Sequence, residues 1–379
     1  MGTFWAGVHV SKLIVRSAIS FILAASSATR LVPDLPDGRS DLVSQGACGS
    51  LVPASQGGPM PTGNVATLRW LGTSNYELAY HGKIVIMDTF YERPARTASL
   101  GFTVGDVRKA DVILVGHAHA DHISDVAPVA AQTGAPVIGS AITTAQAIVL
   151  GVPKAQTITV AGNERLRYGD ISIRPTHIVH STIEGGLIPA LDSLYKLDAA
   201  PLTPEQKAQS AAVLARGSRD PRIISEGTMG FTFTFPIGFT IVWFDSVGDP
   251  NAEERQLAGE LAPVDVAIFP LTPHPISETQ LAYTFQHLQL FRPALYLPDH
   301  HDGIWGLWLD NGLAPLFMKI RDDLPATKFT EPLYRSAICV DTSVVARGRR
   351  AALLFHDVPR TEMIKESLNW LDKYLGSVK

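Results

Sequence analysis

From residue 66 onward the chain alternates between short apolar runs and polar breaks, on two different periods. "ATLRWLG" (66–72), "NYELAY" and "KIVIMD" are short and rich in strand formers, with a His-Gly turn between the last two; they predict a meander of strands. "ADVILVG" (110–116) predicts a buried strand, "VAPVAAQTG" a helix closed by glycine, and "APVIGS" another strand. "TAQAIVLG" reads as a short helix and "GDISIRPTHIV" as a long strand. Residues 184–228 interrupt the rhythm and include "TPEQKAQSAAVLARGS", a helix with Thr203 as its N-cap and Glu205 close behind. Strands resume with "GFTFTFP" and "FTIVWFD". Helix "AEERQLAGELA", strand "VDVAIFP", helix "ETQLAYTFQHLQLF" and strand "ALYLP" then alternate. Past residue 309 the assigned element is one helix, "TEMIKESLNWLDKYL". Strands with helices between them, and no short repeat, predict an α/β fold.

The N-terminal region reads differently. Lys12 and Arg16 precede "SAISFILAASSA" (17–28), too short to span a bilayer and ending in small residues, as a signal peptide does. Residues 1–28 are therefore expected to direct export; a mis-assigned start would leave the protein cytoplasmic. Residues 29–65, rich in Gly, Pro and Ser, read as a linker or a wrapped arm. No later apolar run reaches membrane-spanning length.

Composition adds limits. An apolar fraction of 46% in 379 residues supports a large core, and two cysteines, Cys48 and Cys339, exclude a CxxC zinc site. They either form one disulfide in an exported protein or stand as two separate thiols. A net charge of −4, with "ARGRR" (346–350) as the one compact basic run, argues against a nucleic-acid partner.

The chemistry concentrates in "VILVGHAHADHISD" (112–125). His117 and His119 are two apart in an extended stretch and point the same way. Asp121 and His122 follow where the chain turns into a helix, so they point elsewhere and suit a second ion. Imidazole nitrogen and carboxylate oxygen are the ligands of catalytic zinc. Three further ionisable residues follow apolar runs: His180, Asp245 and His300. His117, His119 and His180 would hold one ion and Asp121, His122 and His300 the other, bridged by Asp245 and a water or hydroxide.

This pattern, HxHxDH followed by His, Asp and His at strand ends, resembles the metallo-β-lactamase superfamily. Within it, "LRWLGTSNYELAYHGKIVIMDT", "AQTGAPVIGS" and "IRPTHIVHST" are similar to the branch of metal-dependent hydrolases related to ascorbate-phosphate lactonase and N-acyl-phosphatidylethanolamine phospholipase D. The resemblance covers roughly residues 66–305. It implies a four-layer αββα sandwich over 66–308 with 184–228 as an insertion and 309–379 as an extension packed on the same domain. It also implies two divalent ions, zinc foremost and manganese or iron as alternatives, with Asp121 acting additionally as the base toward the attacking water. Asp88 matches the family's strand-end aspartate, either fixing an imidazole or bonding the backbone. His177 competes with His180, and Asp249 with Asp245; the family's "HS" turn favours His180 and the strand end favours Asp245. A histidine in place of Glu at 119 favours hydrolysis over diiron oxygen chemistry.

The expected substrate is a small or lipid-like molecule carrying an ester, lactone or related bond. "GGLIPALDSLYKL" in the insertion is either an apolar lid or a core-packing face. His274, Trp305 and Trp308 either line a pocket or, for the tryptophans, anchor the C-terminal segment; His301, next to His300, either faces away or reaches the substrate. A phosphodiesterase or nuclease on the same fold is the rival, and a non-catalytic binding protein the third reading. No GxSxG nucleophile elbow occurs.

Overall fold

The computed structural model describes residues 46–95, 97–182, 202–271, 278–302, 313–345 and 353–354. The segments predicted as signal peptide, apolar lid and C-terminal helix, and His274, Trp305 and Trp308, lie outside these residues.

Strand alternation builds three apolar layers. In β10 (Thr240–Trp243), Ile241 and Trp243 face one cluster while Val242, with Phe244 just beyond, faces another. In β4 (Val112–Leu114), Val112 and Leu114 face the first cluster, while Ile113 and the following Val115 face a third. The shared cluster is the space between two sheets, since successive side chains on a strand point to opposite faces. The outer clusters lie beneath helices.

The first sheet has the order β15-β14-β1-β2-β3-β4-β5-β6. Its strands are β1 (Val65–Trp70), β2 (Tyr76–Tyr80), β3 (Lys83–Met87), β4, β5 (Val137–Gly139), β6 (Thr157–Thr159), β14 (Ala337–Asp341) and β15 (Leu353–Leu354). The second runs β13-β12-β11-β10-β9-β8-β7. It comprises β7 (Leu166–Tyr168), β8 (Ile171–His177), β9 (Met229–Thr234), β10, β11 (Val266–Pro270), β12 (Leu295–Asp299) and β13 (Lys328–Phe329). Each sheet joins an antiparallel half to a parallel half: β3 to β6 run parallel, as do β10 to β13.

Helices α1 (Ala120–Ile123), α2 (Val126–Thr133) and α3 (Ala141–Val149) contribute Ile123, Val126, Val129 and Ala147 to the outer cluster of the first sheet. Helix α4 (Pro204–Leu214) lies in the 184–228 stretch expected to be an insertion; its Thr203 cap forms a reciprocal pair with Gln206. Helices α5 (Ala252–Leu261), α6 (Glu278–Phe291) and α7 (Ala314–Asp323) give Leu257, Leu288, Phe291, Leu316 and Ile320 to the outer cluster of the second sheet. The result is the α/β four-layer αββα sandwich. Among the described residues no helix is long and apolar enough to cross a membrane.

Both flanking segments are fastened to the first sheet. β14 pairs antiparallel with β1, Thr67 opposite Cys339, so residues past 309 complete the first sheet. Residues 46–58 are pinned to that sheet by its buried charges: Arg69 donates to the carbonyls of Ala47 (2.5 Å) and Ser50 (2.6 Å), and Glu77 accepts from the amides of Ala54 and Ser55 (both 2.8 Å). Cys48 and Cys339 form a disulfide, Cα to Cα 5.9 Å. The His-Gly turn is present, with φ of 46° at His81 and 78° at Gly82, the left-handed pair that a two-residue hairpin requires.

Candidate metal centre

Four strand ends converge on one edge of the sandwich. His117 follows β4, and His119 stands at the N-cap of α1, which carries Asp121 and His122. His180 lies three residues past β8, Asp245 two past β10 and His300 one past β12. Parallel strands end together on one side, which is why α/β folds collect their chemistry there.

Two sets of ligand atoms form. His117 Nε2 lies 3.0 Å from His119 Nδ1 and 3.2 Å from His180 Nε2. In the second set, Asp121 Oδ2 lies 3.1 Å from His300 Nε2 and 3.6 Å from His122 Nε2. Asp245 lies behind both sets: its Oδ2 is 2.6 Å from His117 Nδ1 and 3.3 Å from His122 Nδ1, the ring nitrogens that face away from the ligand atoms. Of the competing residues, His177 is in neither set, and Asp249 is exposed. His301 is in neither set; its ring is buried and stacked on Trp70 at 4.3 Å between centroids.

The surroundings fix the rings. His122 Nδ1 meets Asp88 Oδ2 at 2.7 Å and Ser74 Oγ at 2.8 Å; Ser74 also donates to Asp88. Asp88 accepts from the amide of Gly116 at 2.9 Å, so it serves both imidazole and backbone. His180 Nδ1 donates to the carbonyl of Ser181 at 2.6 Å, leaving Nε2 with its lone pair toward His117. His300 has a φ of 52° and its amide donates to the carbonyl of Thr73, itself at 51°. Asp302 ties that turn down, accepting from the amide of Thr73, from Arg93 (2.5 Å) and from Tyr334 (2.6 Å). Backbone held in this region is costly for residues other than glycine and recurs at functional sites.

Electrostatics fit divalent cations. Burial lowers His117 to about 3 and His119 to about 4, and pushes His122 and His180 well below the usual imidazole range, with neighbouring histidines adding to it. All four rings are therefore neutral near pH 7, the form that binds metal. Burial alone would raise Asp121, but His122 and His300 outweigh it and hold it well below the carboxylate range. Burial, then the charges of neighbouring carboxylates, drives Asp88 upward; burial foremost raises Asp245 too. Asp245 Oδ1 and His300 Nδ1 are buried without a hydrogen-bond partner. Crowded carboxylates, neutral imidazoles and an unpaired carboxylate oxygen are what a cation site needs and what a purely structural cluster avoids.

The sequence reading missed Ser74, Gly116, Arg93 and Asp302. A local signal existed for Gly116 alone, a glycine placed directly between an apolar strand and its histidine.

No family model matches the chain. It is similar to a UPF0173 metal-dependent hydrolase of Pyrobaculum islandicum, 30% identical over 121 residues, covering 31% of this chain and 52% of the relative. It is also similar to one of Pyrobaculum arsenaticum, 25% identical over 236 residues, covering 62% and 84%. The chain thus spans about half the length of the first. Among solved structures, a metallo hydrolase of Ignicoccus hospitalis aligns over 73% of this chain and 98% of its own, with a TM-score of 0.51 and 16% identity, a likeness of fold. The chain therefore shares sequence similarity with metal-dependent hydrolases and its αββα fold with the Ignicoccus metallo hydrolase.

Proposed function

We propose that the protein is a metal-dependent hydrolase with two divalent ions, zinc foremost, that cleaves an ester, lactone or related bond in a small or lipid-like substrate. The observation that carries this reading is the convergence of seven ligand residues, in three overlapping groups, from four strand ends. His117, His119 and His180 would hold one ion; Asp121, His122 and His300 the other, with Asp245 behind both. Such ions, when bound, supply a Lewis acid and make water acidic enough to ionise near neutral pH.

The chain's own residues orient and move protons. Asp121 is the carboxylate placed to take a proton from water: its side chain is 12% exposed, whereas those of Asp88 and Asp245 are fully buried. Its depressed pKa keeps it ionised for that task. Asp88 and Ser74 hold His122 in one tautomer, and Asp245 does the same for His117. The disulfide supports export, since such bonds persist in oxidising compartments.

The test is a screen of the zinc-loaded protein against lactones, aryl esters, phosphodiesters and phospholipids. Turnover of the first two, lost on chelation, is expected. Turnover confined to phosphodiesters would replace this reading with the phosphodiesterase one.

A further inference from the structure

The described part of the insertion, residues 202–228, returns to the sandwich against the ligand loop, and three consecutive residues fit it closely. Ser218 donates its amide to the carbonyl of Ala118 at 2.8 Å. Gly217 lies so close to Ala120 that a Cβ there would stand 2.5 Å from its amide nitrogen and 3.0 Å from its Cα. Arg216 reaches Asp125 Oδ1 at 3.0 Å and Glu92 Oε2 at 2.6 Å, while its carbonyl accepts from Gln146 at 2.7 Å. Asp125 in turn accepts from the amides of Tyr91 and Glu92, both at 2.7 Å. Ala118 and Ala120 flank His119, so the insertion holds the backbone on both sides of that ligand.

His119 needs this support. His117, His122 and His180 each have a carboxylate or carbonyl on the nitrogen facing away from their set. Among the described residues, the hydrogen bonds of the His119 ring reach only His117. Its aim therefore depends on its backbone.

We infer that Arg216, Gly217 and Ser218 are positioning residues for His119, so that the insertion sets metal affinity in addition to bordering the site. This rests on the metal-centre reading above. The test uses the full chain, stripped and reloaded with Co²⁺, with affinity read by chelator competition and geometry by the visible absorption of the bound cobalt. Gly217→Ala should weaken at least one cobalt equivalent by about 10-fold or more, the scale of lost ligand support, and change its absorption. Arg216→Gln should act in the same direction but less. Lys207→Ala, on the exposed side of α4, should match wild type in both. Folded Gly217→Ala and Arg216→Gln proteins with wild-type cobalt affinity and spectra would overturn the inference; if Gly217→Ala does not fold, Arg216→Gln decides by the same criterion. Wild type binding no cobalt would instead sink the metal centre itself, a result distinct from wild type binding and the variants matching it.

Discussion

Gly116 is the tightest point of the site, and Gly116→Ala tests whether Asp245 belongs to the metal centre. A Cβ at 116 would stand 2.5 Å from Asp245 Oδ1 and closer still to its Cγ and Oδ2. Non-bonded carbon and oxygen need about 3.4 Å, so the carboxylate must withdraw by roughly 1.4 Å to clear its nearest oxygen. It has no free space, being fully buried and bonded to His117 at 2.6 Å. Overpacking of this kind costs about 1–3 kcal/mol, which lowers Tm by several degrees. A displacement of about 1 Å in a reacting constellation costs on the order of 100-fold in rate. Metal affinity should fall about 10–100-fold. The assay is zinc content after gel filtration against a graded chelator, with thermal melts of loaded and stripped protein. Gly134→Ala is the control: nothing lies within 4 Å of its Cβ, and only its φ of 70° resists the substitution. It should lose about 1 kcal/mol and no zinc. A folded Gly116→Ala protein with wild-type zinc affinity would refute the reasoning, because it would mean that Asp245 can move without loss to the centre.

Other expectations concern separate parts of the molecule. His119→Ala should abolish hydrolysis and lower metal content while circular dichroism stays that of wild type, since the ring makes no cap bond to α1. Chelation should lower the melting temperature of wild type; zinc at 100 times its dissociation constant stabilises by about 2.7 kcal/mol, and an unchanged melt would argue against a folded-state metal. Asp302→Asn leaves the Arg93 charge buried without its partner and should cost about 3–5 kcal/mol in denaturant titrations, because Asp302 also anchors the turn that carries His300. Reduction of Cys48–Cys339, or Cys48→Ser, should cost about 2–5 kcal/mol yet leave zinc content intact, since the bond fastens the arm to β14 and not the ligand loop.

The sequence by itself determined whatever depends on neighbours along the chain. Alternation in "TIVWF" placed Trp243 between the sheets and Phe244 under the helices, because the side-chain period of a strand is two. Spacing in "HAHADH" divided four ligands between two directions, and the apolar runs ahead of Asp245 and His300 marked two of the strand ends that converge. Tertiary structure decided what depends on approach between distant segments. It set β14 beside β1 across more than 260 residues, Asp88 and Ser74 behind His122, Asp302 beneath the His300 turn, and Ser218 on the carbonyl of Ala118. It also turned His301 inward onto Trp70, although His300 and His301 look alike in the sequence. Periodicity is a local property of the backbone, whereas register, close approach and the partner of a buried polar atom are fixed only when the layers pack.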